Sequence, residues 1–293
     1  SMKITGSSGD NSLDASDYLS MVTKLEGQDL QVLNKGTSSA VPMTFSFWIK
    51  ATTTGTYIVE FADNDNTRKI SKSYTVSSSN TWEYKSITID ADTTGTLDDD
   101  NNNSLWIQMW FVAGSNFTTG SLNSSWTSST VTNTRVVGQV NGMSSASHNI
   151  YITGVCLNVG SKSISGNDGK SFPHESFEET LRKCHRYYTK SWTYGSAVTT
   201  TGGIVTAACV GNVNRAFGNV FWPTEMRVAP TVTWYSGETG TTNKWRNNSD
   251  GTDITAASVV AAVGSKGYGY VLSSGITDVT DTLHGHYEAS AEL

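Results

Sequence analysis

The chain is short of charge and of proline. Only 16% of its 293 residues are charged and only 4 are proline, whereas 27 are glycine. A chain kept unfolded by charge repulsion or by proline content is therefore excluded. Polarity comes instead from hydroxyl and amide side chains, so we expect a globular protein, and the length favours about two domains.

Basic residues and long apolar runs are also scarce. Lysine and arginine together number 20 against 26 aspartates and glutamates, which gives a formal net charge of -6. Binding to a phosphate backbone needs clustered basic residues, so nucleic acid is not an expected partner. No stretch approaches about 18 consecutive apolar residues, and no basic segment precedes an apolar one at the N-terminus, so we expect neither membrane insertion nor a signal peptide.

Cysteine occurs at three positions, Cys156, Cys184 and Cys209. Their spacings match no zinc-binding pattern. We interpret them as free thiols of a protein made in a reducing compartment, with a disulfide between two of them as the alternative.

Short alternating segments, separated by turn residues, fill most of the chain. In "GTYIVEFAD", for example, Tyr57, Val59 and Phe61 share one side of a strand. Such alternation is typical of half-buried strands. The spacing predicts a mainly β protein with an N-terminal jelly-roll β-sandwich over residues 1–160 and a smaller C-terminal β-domain over residues 191–293.

One segment, "SFPHESFEETLRKCHRYYTKS", has helical spacing instead. Its acidic residues come early and its basic residues late, the order that complements a helix dipole. Ser176 and Glu179 stand at the spacing of a capping box. An apolar stripe recurs at helical spacing and is formed by Phe177, Leu181, Cys184 and Tyr188. We predict a short connecting α-helix within a linker, residues 161–190, whose stripe packs on the base of the jelly roll or on the same helix in neighbouring protomers.

Six segments of the chain together match the pattern of a known protein family. In chain order they are "QDLQVLNKGTSSAVPMTFSFWIKATTTGTYIVEFAD", "NTWEYKSITIDADTTGT", "LWIQMWFVAGS", "YITGVCLNVGS", "FPHESFEETLRKCHRYYTKS" and the final "YEASAEL". They resemble the distal part of tailed-bacteriophage tail fibre and virion structural proteins. The most specific match is Cys-x-Arg-Tyr-Tyr at residues 184–188, after a strand of the form TGV-x-L-x-V-G. The chain departs from the family at residues 156–158, which read Cys-Leu-Asn instead of Gln-Leu-Glu, and in the inserted "SKSISGNDGKS".

This resemblance implies a fold and a role. The fold is a jelly roll like a carbohydrate-binding module, followed by a helix and a tip domain. The role is that of a receptor-binding protein, made in the host cytoplasm, which forms a homotrimer on the virion with other tail proteins and adheres to a host surface glycan. A non-binding structural virion protein, such as a spacer or collar, is the alternative, and a polysaccharide depolymerase is a third.

Aromatic residues on the strand "LWIQMWFVAG" are the first glycan-binding candidates. If Leu105 and its alternating partners face the core, then Trp106, Gln108 and Trp110 share the other face. Two rings beside an amide would form a stacking platform, unless loops of the chain or a trimer neighbour cover that face. Trp126 would extend this surface or plug the edge of the sandwich. Trp245, in the polar segment "TNKWRNNSDGTD", is either an exposed ligand contact or an ordinary hairpin tip.

Metal sites have weaker support in the sequence. Asp63 and Asp65 could supply oxygen ligands to a structural calcium, although their segment lacks the glycine and glutamate of an EF-hand and reads equally as a solvated turn. His284 and His286 share one strand face and could bind a metal around a trimer axis, or simply face solvent. No other cofactor is expected.

Enzymatic motifs do not appear in the sequence. There is no G-x-S-x-G, no H-E-x-x-H and no phosphate loop. Glu60 and Glu83 are the strand-borne glutamates of the first domain, and nothing in their spacing pairs them for glycoside hydrolysis. The long repeats of a β-helical depolymerase are missing as well. We therefore expect no enzymatic activity.

Overall fold

A computed structural model describes residues 1–128, 132–161, 175–199, 202–209, 215–255, 263–272, 276 and 278–293. The chain divides into two compact units. The first is Ser1–Pro173 together with Leu293, and the second is His174–Glu292. Residues 162–174 of the predicted linker lie outside the described residues.

The first unit is a β-sandwich of two antiparallel sheets. One sheet has the strand order β1-β9-β3-β6 and the other has the order β2-β7-β4-β5-β8. The strands are β1 Met2–Thr5, β2 Tyr18–Glu26, β3 Met43–Ala51, β4 Gly55–Asp63, β5 Arg68–Val76, β6 Glu83–Ile89, β7 Asn103–Ala113, β8 Thr127–Ser128 and β9 Asn149–Val159. Two 3-10 turns, Gly27–Asp29 and Gln31–Leu33, follow β2, and a short helix, α1, spans Ser115–Thr118.

The core of the first unit lies between these two sheets. The predicted inward residues of β4 all belong to it, since Tyr57, Val59 and Phe61 are fully buried. So do the alternating residues of β7, which are Leu105, Ile107, Met109 and Phe111. Alternation places the remaining residues of β4 and β7 on the outer face of the five-stranded sheet.

The second unit is built around its last strand. Its sheet has the order β15-β14-β17-β11-β12-β16, and β10 and β13 also pair with β17. The elements are α2 Phe177–His185, β10 Tyr188–Lys190, β11 Val205–Cys209, β12 Arg215–Phe221, β13 Thr231–Ser236, β14 Lys244–Asn247, β15 Thr252–Thr255, β16 Gly267–Leu272 and β17 Thr282–Ser290. The mainly β character of the whole chain, with short helices, is confirmed.

The predicted helix is present as α2. The Ser176 hydroxyl accepts a hydrogen bond from the backbone N–H of Glu179 at 3.2 Å, as the capping box predicts. Three of the four residues in the predicted stripe lie on α2, but the fourth, Tyr188, lies in β10. Neither α-helix in the described part of the chain is long and apolar enough to cross a membrane.

Candidate functional site

The outer face of the five-stranded sheet carries three rows of side chains. Residues directly opposite one another on neighbouring strands form each row, in the order β2, β7, β4, β5. The first row is Lys24, Trp106, Ala62 and Lys69; the second is Val22, Gln108, Glu60 and Ser71; the third is Ser20, Trp110, Ile58 and Ser73.

The third row is covered by the chain itself. Trp110 is only 1% exposed and packs with Ile58 and Val136 in a small apolar cluster. The Phe117 ring lies 5.4 Å from the Trp110 ring, and the Tyr18 ring lies 5.7 Å from it. Trp110 is therefore not open for stacking, and the alternative that loops of the chain cover this face holds for it, because the segment that follows β7 closes over the ring.

The second row is occupied by an internal hydrogen-bond network. Arg135 Nε donates to both Glu60 carboxylate oxygens, at 2.9 and 3.1 Å, and its Nη2 donates to Gln108 Oε1 at 3.0 Å. The Gln108 Nε2 group donates to Ser20 Oγ at 2.8 Å. Gln108 is 7% exposed, so its amide is already engaged and does not lie open between two rings.

The first row remains open and forms a pocket of about 220 Å³. Ala62 stands between Trp106 and Lys69 in the row, and its small side chain leaves the space. The half-buried Trp106 lines the pocket, and its ring lies 5.2 Å from Lys24 Nζ. The pocket is lined by Glu60, Ala62, Asp63, Asn64, Thr67, Lys69, Trp106, Thr132 and Arg135.

Charged groups in this pocket are unusually well buried. Glu60 is 1% exposed and Lys69 is 2% exposed. Burial lowers the pKa of Lys69, the Glu60 carboxylate acts to raise it, and Arg135 acts to lower it further. Buried charges of this kind are usually paired or functional, since removing them from water is costly.

The pocket combines an aromatic wall with polar groups. The buried indole Nε1 of Trp106 has no hydrogen-bond acceptor among the described residues. The volume lies below the roughly 300–1,000 Å³ of pockets that hold drug-sized ligands. Such a space suits a small ligand that has one apolar face and several polar groups.

Trp126 plugs the sandwich edge, which is one of the two roles considered for it. Its ring packs against the core of the first unit, and its Nε1 donates to the Asp90 carbonyl at 2.7 Å. Lys35 Nζ lies 5.2 Å from the ring. Trp126 does not line the pocket.

Asp63, a candidate calcium ligand, already has a cation. Lys35 Nζ lies 2.5 Å from Asp63 Oδ2 and 3.0 Å from Asp92 Oδ2, and all three residues are buried. Asp65 Oδ2 accepts a hydrogen bond from the Asp98 backbone at 3.0 Å. No group of three potential ligands for a metal occurs among the described residues. The Asp63 carboxylate is thus committed to an internal ammonium rather than open to a metal.

Trp245 is not exposed at a hairpin tip. It is fully buried in the second unit, and its ring lies 5.1 Å from the ring of Trp234. Strand β14 pairs with β15 and β17, and its alternation points Trp245 into the core. The polar segment suggested exposure, but only Lys244 and Arg246 lie on the opposite face of β14, and Asn247 is fully buried like Trp245.

The histidine pair lies on one face of β17, as alternation predicts. His286 is fully buried, with its Nδ1 2.9 Å from Ser191 Oγ and its ring 5.8 Å from that of Trp192. His284 is half-buried. His286 is therefore neither exposed to solvent nor open to a metal, because Trp192 and Ser191 cover it.

On α2, the stripe is largely exposed in the described chain. Phe177 is 82% exposed, Cys184 is exposed and Leu181 is half-buried. Tyr188 on β10 instead donates from its hydroxyl to Glu288 Oε1 at 2.6 Å. The expectation that a neighbouring protomer covers this stripe stays a prediction.

The pocket residues that the sequence reasoning missed include Ala62, Lys69 and Arg135. Ala62 and Lys69 follow from alternation on β4 and β5, so a search of outer faces would have found them. Arg135 could not be found this way, because it lies in an irregular segment after β7 and reaches the sheet only through the fold.

Comparisons with known proteins do not assign this chain to a family. No family model matches it, and no curated protein matches it. The PBSX exported protein XepA is 12% identical, with 98% of this chain and 86% of that chain covered, at a TM-score of 0.20. Recombinant discoidin II of Dictyostelium discoideum is 9% identical, with coverages of 96% and 79%, at a TM-score of 0.19. These are weak structural neighbours, and such scores carry no argument about function.

Proposed function

We propose that this chain is a phage receptor-binding protein, the distal part of a tail fibre, which adheres to a host surface glycan through the pocket beside Trp106. The observation that carries the proposal is the open first row of the outer sheet face, where Ala62 leaves a space beside an indole and a buried lysine. The quoted motifs that resemble tail fibre proteins support the virion setting.

We further propose how the chain assembles and that it is not an enzyme. The chain works as a homotrimer on the phage tail, next to other virion proteins, and it binds without catalysing a reaction. The exposed Phe177 on α2 is consistent with a surface that another protomer covers, since a ring so open to water is costly in isolation. Sedimentation of the purified chain, 31.5 kDa per protomer, tests the trimer. A monomer at micromolar concentration would contradict it.

Glycan-array and cell-adhesion measurements test the binding function. Trp106→Ala should lose about tenfold or more in affinity, which corresponds to at least about 1.4 kcal/mol. Trp82→Ala is the matched control, because Trp82 is 38% exposed and does not line the pocket. If neither variant alters adhesion, the pocket is not the receptor site and the structural virion role is favoured.

A further inference from the structure

A buried lysine and a buried aspartate lie in direct contact in the first unit. Lys35 Nζ is 2.5 Å from Asp63 Oδ2, and the two side chains are 5% and 0% exposed. Asp92 Oδ2 lies 3.0 Å from the same nitrogen, and its side chain is 5% exposed. Burying these three ions is costly, because each of them gives up its water. Joining Lys35 to Asp63 as a neutral amide would remove one buried charge of each sign.

The lysine nitrogen is held against the aspartate. The Lys35 ammonium donates to the backbone carbonyls of Thr94 and Gly95, at 3.0 and 2.9 Å. Two of its three N–H positions are thereby taken, so the third faces the carboxylates of Asp63 and Asp92. Transfer of that proton to Asp92 leaves a lone pair beside the Asp63 carboxyl carbon, which is bonded to the oxygen 2.5 Å away. Proximity fixed in this way corresponds to an effective concentration of about 10⁵ M or more.

The carboxyl group of Asp63 has hydrogen-bond donors of its own. The Asn66 backbone N–H and the Asn66 side-chain Nδ2 both donate to Asp63 Oδ1, at 2.9 and 3.2 Å. These donors would stabilise the negative charge that this oxygen gains when the carboxyl carbon becomes tetrahedral. Arg68 Nε donates to Asp92 Oδ2 at 2.8 Å and keeps that carboxylate ionised, so Asp92 is ready to accept the lysine proton.

We propose that Lys35 and Asp63 condense spontaneously to an isopeptide bond, which cross-links the segment after the second 3-10 turn to the end of β4. Lys35 Nζ bonds to Asp63 Cγ, and the bond from Cγ to Oδ2 breaks. One ammonium hydrogen stays on the amide nitrogen, and the other two leave with Oδ2 as water, with Asp92 relaying protons between the two groups. The two charges cancel and no electrons are exchanged with another molecule, so no co-reactant is needed. The ion pair in the structure is the state before the bond forms. The cross-link would form whether or not the pocket binds a glycan.

The mass of the purified full chain, measured intact under denaturing conditions, tests the cross-link. We expect a mass lower than that of the 293-residue sequence by one water molecule. Peptide mapping then locates the loss, because trypsin does not cleave after an acylated lysine. The cross-linked chain should yield one branched product, residues 25–50 joined to residues 51–68, whereas a chain without the bond yields residues 25–35, 36–50 and 51–68 separately.

Matched variants separate this pair from other sources of water loss. Lys35→Arg keeps a cation beside Asp63 but removes the nucleophile, since a guanidinium does not give up its proton, so this variant should keep the full sequence mass. Lys72→Arg is the control and should lose one water as the wild type does, because Lys72 pairs with Asp90, whose side chain is 63% exposed. Asp92→Asn lacks the proton acceptor and should retain a fraction of chain at the full mass.

The full sequence mass and separate tryptic peptides, after prolonged incubation of the folded wild-type chain, would overturn the cross-link. A loss of water that persists in Lys35→Arg would place the dehydration elsewhere and would overturn it as well. Complete condensation of Asp92→Asn would overturn the role of Asp92 alone. The wild-type mass and peptide map need no variant, so a failure of Lys35→Arg to fold leaves the test intact.

Discussion

Lys35 shows how a single residue holds the loops at one end of the first unit. Its ammonium donates to the backbone carbonyls of Thr94 and Gly95, at 3.0 and 2.9 Å, besides pairing with Asp63 and Asp92. Two carboxylates and two carbonyls around one cation resemble the oxygen ligands of a hard metal ion. The Lys35 ammonium therefore occupies the place among these oxygens that a metal ion would otherwise take.

Removing the Lys35 charge should be costly. Lys35→Met keeps an unbranched stem but leaves two buried carboxylates with less compensation, so we expect a loss of about 3–5 kcal/mol in the free energy of unfolding. Lys72→Met is the control, because its partner Asp90 has a 63% exposed side chain and the pair should contribute less than about 1 kcal/mol. Urea denaturation measures both, and equal losses would contradict the account.

Asp92 gives this network a pH dependence. Burial acts to raise the pKa of Asp92, but hydrogen bonds from Arg68 and Lys35 outweigh burial and hold the pKa below its ordinary value. The ionised carboxylate thus stabilises the fold fully above the unfolded pKa of about 3.9, and this stabilisation is lost as the pH falls through the lower folded pKa.

We therefore expect the free energy of unfolding of the first unit to decline as the pH is lowered from about 5 to 3. Asp92→Asn should decline less steeply over the same range, because it has no proton to take up at this position. Urea midpoints at several pH values measure the slope. An identical slope in the two proteins would show that Asp92 does not contribute.

Strand β7 illustrates what alternation can and cannot predict. Its inward residues, such as Ile107 and Met109, follow directly from the period of two and were predicted correctly. The fate of the outward residues was not predictable, because Trp110 is covered by Val136 and held by Arg135 from a distant irregular segment. Local pattern fixes the face of a side chain, whereas its exposure depends on what packs over that face.

Strand β17 explains the burial of Trp245. Gly285 lies on the inward face of β17, and a Cβ added there would come within 2.6–2.8 Å of atoms of the Trp245 ring. The absence of a side chain at Gly285 therefore makes the room that the indole fills. A sequence pattern shows the glycine but not which ring it accommodates.

Gly285→Ala should therefore destabilise the second unit. Overpacking a well-filled core typically costs about 1–3 kcal/mol, and we expect a loss in this range in the free energy of unfolding. Gly264→Ala is the control in the same unit, because a Cβ there meets no atom of the described residues within 4 Å. Thermal unfolding compares the two. A loss no larger than that of the control would mean that Trp245 can shift freely.

At the scale of the whole molecule, composition and spacing predicted a mainly β chain, and the capping box predicted α2. They could not predict the pocket, which depends on register. Lys24, Trp106, Ala62 and Lys69 come from four strands, and only the pairing of those strands sets them in one row. Each of the two units has its own apolar core.

The central claim is that the space above Ala62 receives a sugar. The most direct test is the affinity of Ala62→Leu for the glycan bound best on the array, measured by titration calorimetry beside the wild type and Ser73→Leu. Ser73 is an exposed residue in the third row of the same sheet face. We expect Ala62→Leu to fill the pocket and lose about tenfold or more in affinity while Ser73→Leu binds as the wild type does. Unchanged affinity in Ala62→Leu would contradict the account.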